Sequence, residues 1–333
     1  MFGDYIGLNT DGEGNFYITD MDRSRILKYD PAGKFQATIG KKGQGPGEFQ
    51  APSVVRFDAK GRLYITDMIS RRIMFFEPSG RFLEQIRPPD AFDELIINSK
   101  GQYVVNRTQQ VESKSYEGYK IVWGIFDDQF NLLSELLSMN REFEAPTERD
   151  ATSRAKRLAG ILSMMAFRPL PVFAVTDNDW IYFGFPEKYV IDVYSPEGQK
   201  IQSIRREYNP IKISRKDREY FENGVAARFL RGISGVQAKE VLGFIKYPKF
   251  KPAYSRFALM ENGWLAVVVE FIENEYTLFD LFDRDGVYIG HFKADIDPDS
   301  LFFKNGKAYA VTTKDGYRFA KRYAIEIVDD GQR

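Results

Sequence analysis

The chain contains no cysteine and a single histidine, His291. Disulfides, thiolate nucleophiles and Cys-ligated metals are therefore excluded, as is any metal site built from several imidazoles. An excess of charge of either sign is also lacking, because 47 Lys and Arg balance 47 Asp and Glu. There is thus no overall field to hold a polyanion or an anionic membrane, and nucleic acid is not an expected partner. No apolar run approaches the roughly 20 residues that span a bilayer. Residues 1–10 lack the basic start and apolar stretch of a secretory leader. As written, the sequence reads as soluble and without an export signal. Absence of cysteine suits a reducing cytoplasm and a bacterial periplasm equally.

Aromatic residues are abundant: 28 Phe, 19 Tyr and 3 Trp lie within a 43% hydrophobic composition, enough for a large core. They recur with a period. Asp11-Gly-Glu-Gly14-Asn-Phe-Tyr-Ile-Thr-Asp20 is echoed by Asp58-Ala-Lys-Gly61-Arg-Leu-Tyr-Ile-Thr-Asp67, and Arg25-Ile-Leu-Lys-Tyr-Asp30-Pro-Ala-Gly33 by Arg72-Ile-Met-Phe-Phe-Glu77-Pro-Ser-Gly80. Each unit reads as four antiparallel strands with Gly-bearing turns after the first and third. The first turn is placed at Gly14, Gly61, Gly101, Asp179, Gly263 and Gly306, with spacings of 47, 40, 78, 84 and 43 residues. The short spacings equal one propeller blade of roughly 40 to 50 residues, and the long ones a blade plus an insertion. The second turn is placed at Gly33, Gly80, Asn131, Gly198, Gly286 and Gly331. The expected fold is all-β: one six-bladed β-propeller domain over residues 1–333, with mainly helical insertions between blades three and four (about 138–172) and four and five (about 208–254).

Arg149 to Met165 is expected to be helical, with Leu158, Ile161, Leu162 and Met165 on one stripe. A helix is expected to start at Ser214, where Ser214 and Asp217 form a capping box, and another near 236–247. Strand alternation puts both insertions on the same end of the propeller as the loops between second and third strands. Blade six lacks a fourth strand in this reading, since the chain stops two residues after Gly331. Residues preceding Met1 are expected to supply it; otherwise an exposed edge invites weak association.

The lead-in Gly45-Pro-Gly47-Glu-Phe49-Gln-Ala-Pro52, the Tyr-Ile-Thr-Asp strand, the Arg-Ile strand and the Asp-Pro-x-Gly turn resemble the NHL repeat. Tyr-Ile-Thr-Asp is also similar to the YWTD propellers, but the Arg-Ile strand and Gly-rich lead-in favour NHL. The insertions and Tyr247-Pro-Lys-Phe-Lys-Pro252 resemble a bacterial, usually exported six-bladed propeller family of largely unassigned function. That resemblance implies a periplasmic or secreted protein.

Candidate binding residues lie on the insertion-bearing end: Arg23, Arg71, Arg107, Lys188 and Arg256, with Tyr116, Tyr189 and Tyr254. They would form a rim suited to carboxylate or phosphate groups, or to a peptide. Asp20 with Arg25 and Asp67 with Arg72 read as recurring structural ion pairs. Gly40 to Gly47 lacks the Gly-Lys-Ser/Thr ending of a phosphate loop, and His291 falls on an outer strand. Carboxylate pairs for glycoside chemistry would come from Glu142, Glu144, Glu187 and Glu270. Basic clusters at Arg205-Arg206, 212–216 and 246–251 are interleaved with acids, the pattern of a solvated surface. The expected function is non-catalytic capture of a small ligand, glycan or protein segment, without a cofactor. The second reading is a hydrolase or lyase holding a divalent cation such as Ca²⁺ at the channel mouth, as related propellers do, although the histidine-dependent lyase pattern is absent. A third is RNA binding.

Overall fold

The computed structural model describes residues 6–112, 116–144, 150–272, 276–314 and 317–325. Blade one comprises β1 (Ile6–Thr10), β2 (Phe16–Asp20), β3 (Arg25–Tyr29) and β4 (Phe35–Ile39). A short parallel pair, β5 (Lys41–Lys42) and β6 (Glu48–Phe49), lies in the Gly-rich connection to blade two. Blade two is β7 (Arg56–Phe57), β8 (Leu63–Asp67), β9 (Arg72–Phe76) and β10 (Phe82–Ile86). Blade three is β11 (Leu95–Ile97), β12 (Tyr103–Glu112), β13 (Tyr116–Phe126) and β14 (Leu132–Glu144). Helix α1 (Ala151–Met165) leads to blade four: β15 (Val172–Val175), β16 (Ile181–Gly184), β17 (Val190–Tyr194) and β18 (Lys200–Arg205). Then come α2 (Arg215–Phe221), a π-helical turn, α3 (Ala227–Leu230) and α4 (Ala238–Gly243). Blade five is β19 (Arg256–Leu259), β20 (Leu265–Ile272), β21 (Tyr276–Phe282) and β22 (Tyr288–Ala294), and blade six β23 (Phe302–Lys304), β24 (Lys307–Lys314) and β25 (Tyr317–Ala324). All blade pairings are antiparallel between sequential strands; blade six has three strands among the described residues, and the Gly331 turn lies outside them.

Side chains alternate across each strand, so a blade buried on both faces feeds two cores. Leu63 and Ile65 of β8 pack toward blade one with Tyr17, Ile26 and Ile39, whereas Tyr64 packs toward blade three with Leu95 and Tyr103. Each such fully buried side chain contributes about 2 kcal/mol of transfer free energy. Comparable cores join blades three to four, four to five and five to six. Leu8 and Ile18 of blade one meet Tyr309 and Val311 of blade six, which closes the ring. Lys304 Nζ adds a hydrogen bond to the Thr10 carbonyl at 2.8 Å.

The six first-turn positions all adopt left-handed backbone, with φ between 65° and 84°. Five are glycine, and the Asp11 carboxylate shows how the turn is wrapped, accepting from the Glu13 and Asn15 amides at 3.0 and 2.9 Å. Asp179 is the exception, and its carboxylate receives the Ser99 amide of blade three at 2.8 Å. In blade three the second turn is one residue earlier than expected: Phe130, not Asn131, takes φ 62°, because Asp127 receives the amides of Gln129 and Asn131 and sets the register.

Both helical insertions leave the same end of the ring, as strand alternation requires. The first starts later than expected, since β14 pairs with β13 as far as Glu144. Asp150 caps α1 by accepting from the Ser153 amide at 2.7 Å. The buried stripe of α1 is Ala155, Ala159 and Leu162, continued by Ala166, with Met165 exposed. These small residues let Phe221, Ala226 and Val241 of the second insertion approach closely, so the two insertions form one helical layer. Ser214 and Asp217 make both bonds of the capping box, at 2.8 and 3.1 Å. The last helix of the insertion is shorter than expected, Ala238–Gly243.

Candidate functional site

Where β17 and β18 part at the Val190 and Arg205 pair, two segments diverge on the insertion-bearing end. One is the loop leading into β17, the other the chain leaving β18. Between them lies an open cleft of about 770 Å³, lined by Lys188, Tyr189 and Val190 on one wall and Arg205 to Asn209 on the other.

Its floor is rigid. The Tyr189 ring lies against Tyr254, Tyr208 and Phe282 at centroid distances of 5.4, 5.8 and 6.1 Å. Its hydroxyl donates to Asp280 Oδ2 at 2.7 Å. Burial, reinforced by the Asp280 charge, pushes that hydroxyl far above the ordinary tyrosine value, so it stays a neutral donor. Arg206 pairs with the same Asp280 oxygen and lies over the Tyr288 ring at 4.1 Å. This Asp280, 3% exposed in its side chain, is thereby paired and hydrogen-bonded, as a buried carboxylate must be. Tyr254 is fully buried beneath and donates to the Val190 carbonyl at 2.6 Å. A Cβ at Gly184 would lie 2.0 Å from the Tyr254 hydroxyl, so this packing needs glycine there.

The rim is chemically different. Lys188 and Arg205 are exposed and have no carboxylate partner among the described residues. Glu207 and Asn209 are exposed beside them, and Tyr208 is half-buried. Two available cations, one carboxylate, one amide and an aromatic wall can hold an acidic group and accept hydroxyl hydrogen bonds from the same ligand.

Of the eight residues expected on the rim, Lys188 and Tyr189 line the cleft and Tyr254 supports it. Arg23 reaches Asp20 at 3.3 Å. Arg71 is exposed with φ 51° in the β8–β9 loop. Arg107 is held by Asp90, by the Phe130 carbonyl at 2.6 Å and by the Phe126 ring. Arg256 pairs with Asp299 at 3.1 Å. Tyr116 opposes Glu144 in the long hairpin, and its side chain lies outside the described residues. Of the eight, two line this cleft and one supports it, while Arg23, Arg107 and Arg256 are engaged by carboxylates. Arg205 and Arg206, read from sequence only as part of a basic cluster, belong to the cleft. The signal was their position just after the last strand of blade four, on the same end as Lys188.

Of the two recurring pairs, Asp20 binds Arg25 at 3.1 Å. In blade two Asp67 instead accepts the Gln50 and Ala51 amides, at 2.6 and 3.2 Å, and Arg72 donates to the Gln44 and Glu48 carbonyls. Glu270 is engaged by the Tyr276 hydroxyl at 3.1 Å and Lys251 at 3.7 Å. The side chains of Glu142 and Glu144 lie outside the described residues, and Glu187 is exposed. His291 is exposed on β22 and meets the Tyr288 hydroxyl at 3.2 Å. Among the described residues no group of three or more His, Asp or Glu side chains is placed to hold a metal ion.

Residues 5–186 match DUF5128, a family described as a 6-bladed β-propeller. The chain belongs to this family. Other solved structures resemble this DUF5128 member over most of their length. A candidate exported protein from Bacteroides fragilis is 16% identical, with a TM-score of 0.53, covering 94% of this chain and 80% of that one. A DUF4221 family protein from Bacteroides vulgatus is 7% identical, with a TM-score of 0.49 and coverage of 96% and 91%. Virginiamycin B lyase from Staphylococcus aureus, in a catalytically inactive form, is 11% identical, with a TM-score of 0.47 and coverage of 97% and 82%. At 16% identity the likeness to the Bacteroides fragilis protein concerns the fold alone. No curated protein matches the sequence. No described helix is long and apolar enough to cross a membrane.

Proposed function

We propose that this propeller is a non-catalytic binding protein whose cleft at the insertion-bearing end of blade four captures a small hydroxylated acid, such as a sugar acid. The observation that carries this reading is the pair of exposed cations, Lys188 and Arg205, without a carboxylate partner among the described residues, above a floor fixed by the Tyr189, Arg206 and Asp280 network. The cations hold the acidic group, Glu207 and Asn209 take the hydroxyls, and the Tyr208 ring packs on the apolar face of the ligand. Since the floor is already ordered, little conformational entropy is lost on binding. We further read the protein as exported, a reading supported by the resemblance of its insertions and by the description of the Bacteroides fragilis neighbour.

Calorimetric titration with galacturonate and with galactose tests the binding reading. The acid is expected to bind at least about tenfold more tightly than the neutral sugar, the difference of roughly one charge-assisted hydrogen bond. The double variant Lys188→Glu with Arg205→Glu is expected to erase that difference without lowering the melting temperature, because both side chains are exposed. Equal affinities in the native protein, or an unchanged preference in the double variant, would overturn the reading.

A further inference from the structure

The balance of 47 basic and 47 acidic residues conceals a separation in space. Segments 150–171 and 208–254, the helical layer and its stem, contain fourteen Lys and Arg against five Asp and Glu, a net of nine positive charges. The rest of the chain carries the balancing nine negative charges. Thirteen of those fourteen cations are exposed; the other, Lys251, is tucked between Asp217 at 2.7 Å and Glu270 at 3.7 Å.

The five acids are spent within the layer. Asp150 and Asp217 cap helices, Glu219 pairs with Arg215, Glu222 takes the Tyr247 hydroxyl, and Glu240 takes that of Thr152. The same layer exposes large apolar side chains: Met165, Leu170, Tyr220, Val225 and Phe244 are each at least 36% exposed. Met68 and Ile69, also exposed, share this end of the ring in the β8–β9 loop. Apolar groups standing among exposed cations are what an interfacial helical surface carries.

We propose that the helical layer docks on an anionic phospholipid bilayer, with its cations on the headgroups and its apolar side chains in the headgroup and acyl boundary. Charge complementarity selects a negatively charged occupant. Three of the five exposed apolar side chains, Met165, Leu170 and Val225, are aliphatic and suit an acyl boundary rather than base stacking, whereas the Tyr220 and Phe244 rings suit either, so the lipid occupant is the one that uses all five. Docking by this layer presents the insertion-bearing end, and hence the cleft, to the bilayer. The proposal does not depend on what the cleft binds.

Cosedimentation of the full chain with vesicles decides the question. Vesicles of equal parts phosphatidylglycerol and phosphatidylcholine are expected to retain the protein at least about tenfold better than pure phosphatidylcholine, with retention falling as salt is raised. Arg231→Glu with Lys239→Glu, both on exposed positions, is expected to lower retention severalfold, and Val225→Ser with Phe244→Ser to lower it in low and high salt alike. Equal retention on the two vesicle types would overturn the proposal. So would stronger capture by single-stranded RNA than by the anionic vesicles under the same salt. The salt series on the native protein stands even if a variant fails to fold.

Discussion

At the scale of the residue, the most informative position is Asp179, where a non-glycine residue holds φ 65°. Left-handed backbone costs a side-chain-bearing residue on the order of 1 kcal/mol, and the cost is offset here across the blade boundary. The Asp179 carboxylate accepts both the amide and the hydroxyl of Ser99, at 2.8 and 2.5 Å. Asp179→Ala loses those bonds and keeps the strained backbone, and is expected to destabilise by about 2 kcal/mol. Asp179→Gly relieves the strain and is expected to cost less; denaturant midpoints of the two variants check the order. The turn was legible in the sequence, since Asp179 falls on the repeat register. Its partner was not, because Ser99 is eighty residues away and nothing local records which blades touch. Arg107 makes the complementary case. It reads as a free rim cation, and only the approach of Asp90 from the preceding inter-blade connection reveals it as packed.

At the scale of the element, helix α2 depends on a carboxylate under opposing influences. Burial would raise the Asp217 pKa, but the Lys251 ammonium and the Ser214 hydroxyl and amide outweigh it and hold it below the ordinary 3.8. A depressed carboxyl contributes stability that is present above its unfolded value and lost as pH falls through the lower folded one. The start of α2 is therefore expected to loosen below about pH 4, seen as faster amide exchange at 214–221 while β8 and β9 remain protected. The capping box was visible from Ser214 and Asp217 alone, being a local spacing. The buried stripe of α1 was legible only in part. Leu162 is buried and Leu158 packs against the same core, but Met165 is exposed, and the close approach of Val241 and Phe221 calls for Ala155 and Ala159, which size alone does not mark.

At the scale of the whole molecule, the ring and the helical layer are joined by a narrow stem. Lys212 and Phe250 form an antiparallel bridge, and the Ala253 amide donates to the Pro186 carbonyl at 2.8 Å. Residues 214–248 therefore begin and end close together. Replacing them with a short Gly-Ser linker is expected to leave the propeller folding cooperatively, with its far-UV strand signal retained. The uncovered stripe of α1 is expected to make that variant associate in size-exclusion chromatography, since apolar area once buried against Phe221 and Val241 becomes solvent-exposed. A loss of the cooperative melt instead would mean that the layer is integral to the ring.

The sequence by itself determined the blade count, the six first-turn positions and the end of the ring from which both insertions emerge. Those follow from local chemistry, namely turn residues at a fixed period and the obligatory alternation of antiparallel strands. Only the tertiary structure decided which polar side chains are committed and which are available. Arg107 and Arg256 look like surface chemistry along the chain, and Asp67 like the partner of Arg72, but each meets partners supplied by other connections. Lys188 and Arg205 become a site because the pairing of β17 with β18 sets them on the two walls of one cleft, over a floor to which blade five contributes Asp280. Commitment is a matter of proximity in space, and proximity between blades has no periodicity for a sequence to display.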